Sequence, residues 1–460
     1  MTTYYVGPGG NDANNGQSWA NRKATLNGAE DVPVAAGDTV YVGPGVYREL
    51  LTVDVSGTSG NLISYIADVT GANTDGVGGE VRITGSDDDQ TAARANAITA
   101  TSKDYRKFRG FLLDTTSSNV ISLATSCSGW IIENCRLQGN AASNLINVAG
   151  TGTNNTIRKC VLLLARNRGV LFTHATTVDN AGHVIENCIL LAGPVGAGVR
   201  TDRIGGITVR NCLFVSWNQA VQVGTALTAG QTVTVNNCVV CGNTTGFSAT
   251  VTGEIVENYN SLFSNSTDRA NTSTGANSNA YPPLFALPLL FDGIRMPQNL
   301  FEFSEWSKLR AIAGTGEATD DLLGRTRPST SAKKSWGPTQ YDDVSRNTGT
   351  VHAGSAALKL ADAGRVQFYV PVGNESTTFS VYVYREASYA GTSPQMVIHQ
   401  PGQADVVVTD AGSSGSWNLL TTTLTPATNP AYAVVELVSN NTATSGSGSY
   451  AVYFDDLSVT

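Results

Sequence analysis

The sequence predicts an all-β protein, a parallel β-solenoid followed by an antiparallel β-sandwich. One phrase recurs six times between residues 130 and 263: Ile132-Glu133-Asn134-Cys135, Ile157-Arg158-Lys159-Cys160, Ile185-Glu186-Asn187-Cys188, Val209-Arg210-Asn211-Cys212, Val235-Asn236-Asn237-Cys238 and Val256-Glu257-Asn258-Tyr259. Its fourth positions are separated by 25, 28, 24, 26 and 21 residues, the length of one supersecondary unit stacked on copies of itself. Between the copies run short β-branched stretches broken by Asn, Gly and Ser, with no helical period. From Asp343 onward the texture changes to alternating runs such as Thr378-Phe379-Ser380-Val381-Tyr382-Val383 and Ala433-Val434-Val435-Glu436-Leu437, separated by turn clusters every 10–15 residues. That spacing belongs to an antiparallel sandwich.

Each slot of the repeat has a physical reading. Residues at one slot in successive coils lie about 4.8 Å apart, the spacing of neighbouring strands. The Ile/Val and Cys slots face the interior as apolar columns, the last Cys slot being taken by Tyr259. Disulfides or a metal site along the column are rejected, because bonded sulfurs lie about 2 Å apart, and free Cys packs as a small hydrophobe. Asn134, Asn187, Asn211, Asn237 and Asn258 form an amide ladder at a turn, since Asn tolerates the left-handed region. The slot after Ile/Val points outward and alternates in sign: Arg109, Glu133, Arg158, Glu186, Arg210, Asn236, Glu257. Opposite charges on neighbouring strands are favourable, so this column reads as structural.

Only 14% of the residues are charged, against about a quarter in average domains. A net charge of −8 argues against a nucleic-acid partner. The longest apolar stretch, 284–291, is short and broken by Pro288, so no membrane insertion is expected. Met1-Thr2-Thr3-Tyr4-Tyr5-Val6-Gly7 has neither a basic nor an apolar signal region, and no secretory signal is read there. Of seven cysteines, Cys127 and Cys241 fall outside the column, which implies no disulfide framework.

In chain order, residues 1–36 read as an N-terminal cap, with a strand at Tyr4-Tyr5-Val6, a turn at Gly7-Pro8-Gly9-Gly10-Asn11-Asp12 and a short helix within 20–32. Stacked folds need such caps because an uncovered coil exposes core and strand edges. The solenoid is assigned to 37–300, its tail and a linker to 301–342, and the sandwich to 343–460. "YYVGPGGNDANNGQSWAN…AGDTVYVGPGVYRE" followed by the "IENC" coils resembles the pectate-lyase-like right-handed parallel β-helix superfamily over roughly residues 3–340. "GTGEATDDLLGRTRP…WGPTQ" within 310–340 resembles the segment that ends many such helices. "HAGSAALKL" at 352–360, Trp417 and "YFDDLSV" at 453–459 resemble jelly-roll carbohydrate-binding modules. In those modules an Asp near the final strand helps to hold a structural calcium ion, which the resemblance places at Asp455 or Asp456. No other cofactor is expected.

Candidate chemistry lies on the second strand of each coil. Alternation points Leu171, Arg200 and Gln222 outward, with Thr173 and Asp202 two residues on and His174, Arg203, Arg166, Arg168 and Trp217 nearby. A lyase acting on uronic-acid sugars needs a base for the C5 proton, Arg or Lys in this superfamily, and positive charge for the carboxylate. Arg200 with Arg166 or Arg168 fits that need, with Asp202 and His174 as further candidates. Trp217, Gln222 and Trp417 are the candidate glycan contacts, Trp417 being equally readable as core. The acidic run Asp87-Asp88-Asp89 reads as a solvated loop, and His183 as a turn residue. The superfamily's paired Asp-Asp beside Gly-His-Gly and its Arg-x-Pro-x-x-Arg are absent from the sequence.

An extracellular type of fold without an export signal leads to a first expectation: a non-catalytic phage protein on the virion surface (tailspike, fibre or head-decoration type) that binds glycan or neighbouring subunits. The resemblance to tailspikes extends this to a homotrimer. The alternatives are a polysaccharide lyase or hydrolase acting on acidic polysaccharide, and a bacterial surface adhesin.

Overall fold

The computed structural model describes residues 1–31, 34–139, 144–280 and, with short breaks, 344–459. The expected tail and linker at 301–342 and the proline-rich stretch at 281–297 lie outside the described residues. The chain forms two compact units, taken here one at a time.

The first unit is a parallel β-helix with three ladders. The first ladder stacks ten strands in the order Thr3–Val6, Thr39–Val42, Ile63–Ala67, Arg106–Arg109, Ile131–Glu133, Thr156–Arg158, Val184–Glu186, Ile207–Arg210, Val233–Asn236 and Ile255–Asn258. The second begins at Gly45–Tyr47 and ends at Ser261–Phe263, and the third runs from Leu51–Val53 to Thr267–Ala270. Two long strands, Ile189–Ile204 and Leu213–Thr225, run round the corner between them and join both ladders into one sheet of sixteen strands.

The N-terminal strand is a rung rather than part of a cap, since Thr3–Val6 pairs in parallel with Thr39–Val42. It is followed by a 3₁₀ turn at Trp19–Asn21 and an α-helix at Leu26–Glu30, whose N-cap Thr25 accepts from the Gly28 amide. This helix is tied inward through Glu30, which accepts from the Tyr65 hydroxyl at 2.6 Å and pairs with the fully buried Arg106.

Inside, Ile132, Ile157, Ile185, Val209 and Val235 form one buried column, and Cys135, Cys160, Cys188, Cys212 and Cys238 form the next, all free thiols. Each column thiol donates to carbonyls of its own coil and the preceding one, as Cys160 does to Arg158 and Ile132 at 3.2 and 3.5 Å. The slot before Cys is left-handed in every coil, with φ of 52°, 54°, 53°, 52° and 57° at Asn134, Lys159, Asn187, Asn211 and Asn237. Asn holds this slot in four of the five because its side chain lowers the cost of that conformation.

The last coil departs from the sequence alignment by one residue. Val235 pairs with Glu257 and Asn236 with Asn258, so Tyr259 takes the left-handed slot (φ 54°) and Asn260 takes the Cys slot. Glu257 therefore faces inward, and the outward position belongs to Asn258. A one-residue slip turns every side chain to the other face, which leaves Val256 half exposed. Above this point the outward column keeps two of its pairs, Arg158 to Glu133 at 3.1 Å and Arg210 to Glu186 at 2.6 Å, while the cation that meets Glu133 from the preceding coil is Lys107, at 2.8 Å, two residues before the expected Arg109.

The second unit is a pair of antiparallel sheets. One orders Val344–Asn347, Ala357–Leu360, Val452–Val459, Thr377–Arg385 and Trp417–Leu424. The other orders Arg365–Pro371, Tyr432–Val438, Gln395–His399 and Val406–Thr409. Phe379, Val381, Val383, Met396, Ile398, Leu437 and Phe454 belong to the core between them. Period-two alternation puts these residues inside and sends Tyr382 and Tyr384 to the opposite face.

Candidate functional site

On the third ladder, register places Leu171, Arg200, Gln222 and Ser248 in one outward column. Arg200 donates from Nε to both Asp202 carboxylate oxygens at 3.1 and 3.0 Å, and from Nη2 to Oδ1 at 2.9 Å. Its Nη1 donates to Gln222 Oε1 at 3.2 Å, and Thr225 Oγ1 donates to Asp202 Oδ1 at 3.1 Å. This four-residue set lies across two neighbouring coils. Room for the guanidinium comes from Gly224, where an added Cβ would sit 2.4 Å from Arg200 Cζ. That glycine is part of the site and carries no recognisable motif in the sequence.

Arg168 begins the strand of the preceding coil and is half-buried. Its pKa is lowered first by burial and then by the like charge of Arg200, with Asp202 acting in the opposite sense. Among the described residues no hydrogen bond or ion pair joins the Arg168 side chain to a partner. Arg166 is exposed on the turn before it. His174 is turned into a local loop, its Nδ1 at 3.0 Å from Thr176 O, while Arg203 donates to the His174 carbonyl at 3.5 Å. The ladder thus brings Arg200, Asp202 and Gln222 together, sets Arg168 beside them, and holds the His174 ring in a separate contact.

Trp217 is a correction. Its ring is 1% exposed and its Nε1 donates to Leu190 O at 3.0 Å, so it packs in the core and offers no face to a sugar. Ser216 just before it is left-handed, with φ of 60°, which breaks the alternation and swings the indole inward. His183 is likewise interior rather than a turn residue, its ring stacked on Phe172 at 4.7 Å. The acidic run is paired: Asp89 bridges Arg48 and Arg82, each at 2.7 Å, and Asp87 meets Arg94 at 2.8 Å.

In the second unit, Trp417 is half-buried on the outer face of the five-stranded sheet. It belongs to an aromatic cluster, 5.5 Å from the Tyr384 ring and 5.4 Å edge-on from His352. Tyr382 stacks under His352 at 3.6 Å, and Tyr453 lies 6.0 Å from Tyr384 with the Lys359 ammonium 5.6 Å from its ring. Trp417 was legible in the sequence as an isolated aromatic. The two tyrosines were legible only once alternation had been fixed by Phe379, Val381 and Val383.

Asp455 accepts from the His352 and Ala353 amides at 2.8 and 3.1 Å, and Asp456 meets His352 Nδ1 at 2.7 Å. Calcium takes roughly six to eight oxygens, whereas these carboxylates face N–H groups and an imidazole. Among the described residues no group of three or more His, Cys, Asp or Glu is placed to hold a metal ion. This donor set does not fit calcium.

No family model matches the chain, and no curated protein does. Among solved structures, one similar in fold is a pectate lyase, Pel9A, at 18% identity and a TM-score of 0.42, covering 74% of this chain and 96% of that one. A rhamnogalacturonan lyase is similar at 18% identity and a TM-score of 0.41, covering 57% and 74%. A family 16 carbohydrate-binding module is similar at 13% identity and a TM-score of 0.22, covering 26% and 85%. By its strand pairing the first unit is a parallel β-helix, and antiparallel sheets follow it.

Proposed function

We propose that the protein holds an acidic polysaccharide against the outer face of the third ladder, with the aromatic face of the second unit as a further sugar contact. The observation that carries this is the charge arrangement at Arg168, Arg200 and Asp202. Among the described residues the one carboxylate near the two guanidinium groups, Asp202, is bonded to Arg200. Arg168 is left half-buried with a like charge acting on it. A planar anion supplies what is missing, and a uronate carboxylate matches the guanidinium fork. On the second unit, Trp417 and Tyr384 present apolar rings with polar edges, the surface that suits a sugar face. This sets the acidic-polysaccharide alternative above the virion-surface and adhesin readings, because the arrangement suits a ligand rather than a particle contact.

A lyase is the second reading. Its specific support is Arg168, the arginine on this face whose charged form is disfavoured by burial and by Arg200, as a base for the C5 proton requires. Binding to uronate polymers and to neutral glucans, and the absorbance of unsaturated product with and without calcium, test both readings. Arg168→Ala is expected to weaken uronate binding about tenfold, the loss of one charge-assisted pair, with the circular dichroism spectrum unchanged. A wild-type protein that binds no uronate polymer overturns the proposal. Turnover that disappears in Arg168→Ala promotes the lyase.

A further inference from the structure

The hydrogen bonds around Arg200 run outward in one sense and end on Gln222. Thr225 Oγ1 donates to Asp202 Oδ1 at 3.1 Å, and Arg200 donates to both oxygens of that carboxylate. Its Nη1 then donates to Gln222 Oε1 at 3.2 Å. A guanidinium has five N–H donors and no acceptor, whereas a Gln amide accepts at its oxygen and donates at its nitrogen. Arg200 therefore fixes which way the amide lies, with the oxygen toward the guanidinium and Nε2 turned away from it.

Arg200 is itself held in place. Its bonds from Nε and Nη2 clamp it on Asp202, and Gly224 leaves the space in which the guanidinium lies. Gln222 is half-buried, and the column continues past it to Ser248. Among the described residues nothing accepts from Nε2, Ser248 included. The group is thus a donor of fixed direction at the outer end of the set.

The residue type matters. A Glu at 222 has nearly the same shape and would meet Arg200 as an ion pair, but it would present a second anion beside Asp202. With Gln, the set ends on an N–H. A sugar hydroxyl brings a donor of its own, for which this end has no acceptor, whereas a carboxylate brings acceptors alone. We infer that Gln222 is the specificity-determining residue of this site, donating from Nε2 to a carboxylate oxygen of an acidic sugar chain. The inference rests on the acidic-polysaccharide reading above.

Binding of a polyuronate and of a neutral glucan to the full chain, measured by calorimetry beside thermal melts, tests it. Gln222→Met adds no charge and removes the donor, and is expected to weaken polyuronate binding about tenfold, the loss of one hydrogen bond to a charged group. Glucan binding should stay as it is. Gln222→Glu is expected to weaken polyuronate binding at least as much, while it melts no lower than the wild type because Arg200 gains a carboxylate. Should Gln222→Glu fail to fold, Gln222→Met decides the matter. Polyuronate binding unchanged in Gln222→Met, while Arg168→Ala weakens it, overturns this inference and leaves the acidic-polysaccharide reading standing. Equal losses of polyuronate and glucan binding in Gln222→Met mean a structural role and also overturn it. A wild-type protein that binds no polyuronate overturns that reading, and this inference with it.

Discussion

Glu257 occupies in the last coil the interior position that Val235 fills one rung earlier. Its carboxylate is enclosed by Arg269 at 2.8 Å, Asn260 at 2.8 Å, Ser278 at 2.5 Å and the Gly275 amide at 2.7 Å. A polar plug thus ends the apolar columns of the solenoid.

Removing one partner of a buried ion pair leaves the other uncompensated, at about 3–5 kcal/mol. Glu257→Ala is expected to lower stability by that order in urea titrations. Val256→Thr, on the exposed side of the same strand, should stay within about 0.5 kcal/mol. The reverse ranking would return Val256 to the interior and restore the alignment read from the repeats.

Glu186 stands between Arg158 and Arg210 on the outward column. Glu186→Ala should cost about 0.2–1 kcal/mol, the scale of a cross-strand pair. Glu186→Arg places three positive charges in succession and should cost more, with the gap closing as salt is raised. Equal melting temperatures for the two variants at low salt would mean that the column does not interact.

Burial pushes the Cys135, Cys160, Cys188 and Cys212 thiols well above their ordinary range. The thiolate is the reactive form. A thiol reagent applied to the native protein should therefore leave this column unlabelled and modify it fully only in denaturant. Rapid native labelling of any one of the four would place it at the surface.

His183 accepts the Asn155 amide at Nδ1 and has no partner for Nε2 among the described residues. Burial lowers its pKa from 6.5 to about 4. The unfolded chain therefore takes up the proton first as pH falls, and stability rises with pH across that window. The contribution is complete above the unfolded value and is lost as pH falls toward the folded one. At 1.36 kcal/mol per pH unit it is on the order of 3 kcal/mol. His183→Asn should flatten the curve of stability against pH between about 4 and 6.5, and an unchanged slope would show that other groups set it.

The sequence by itself determined the solenoid, its interior columns and its left-handed corners. Ile/Val and Cys recurring at fixed places within a repeat of one coil's length can only stack, and Asn before Cys marks the turn that only a few residue types accept. The sandwich was equally legible, because period-two alternation around Phe379, Val381 and Val383 assigns each residue to a face. What only the tertiary structure decided depends on which residue stands opposite which. The turn lengths vary from coil to coil, and one residue more or less turns a strand over. The inward Glu257, the left-handed Tyr259 and the enclosed Trp217 all follow from such shifts. The same holds for charges. Arg200 was visible as an outward cation, but its bonding to Asp202 and Gln222, the unpartnered Arg168 beside it, and the pairing of Asp87 and Asp89 with Arg94, Arg48 and Arg82 are set by neighbours brought together across the rungs.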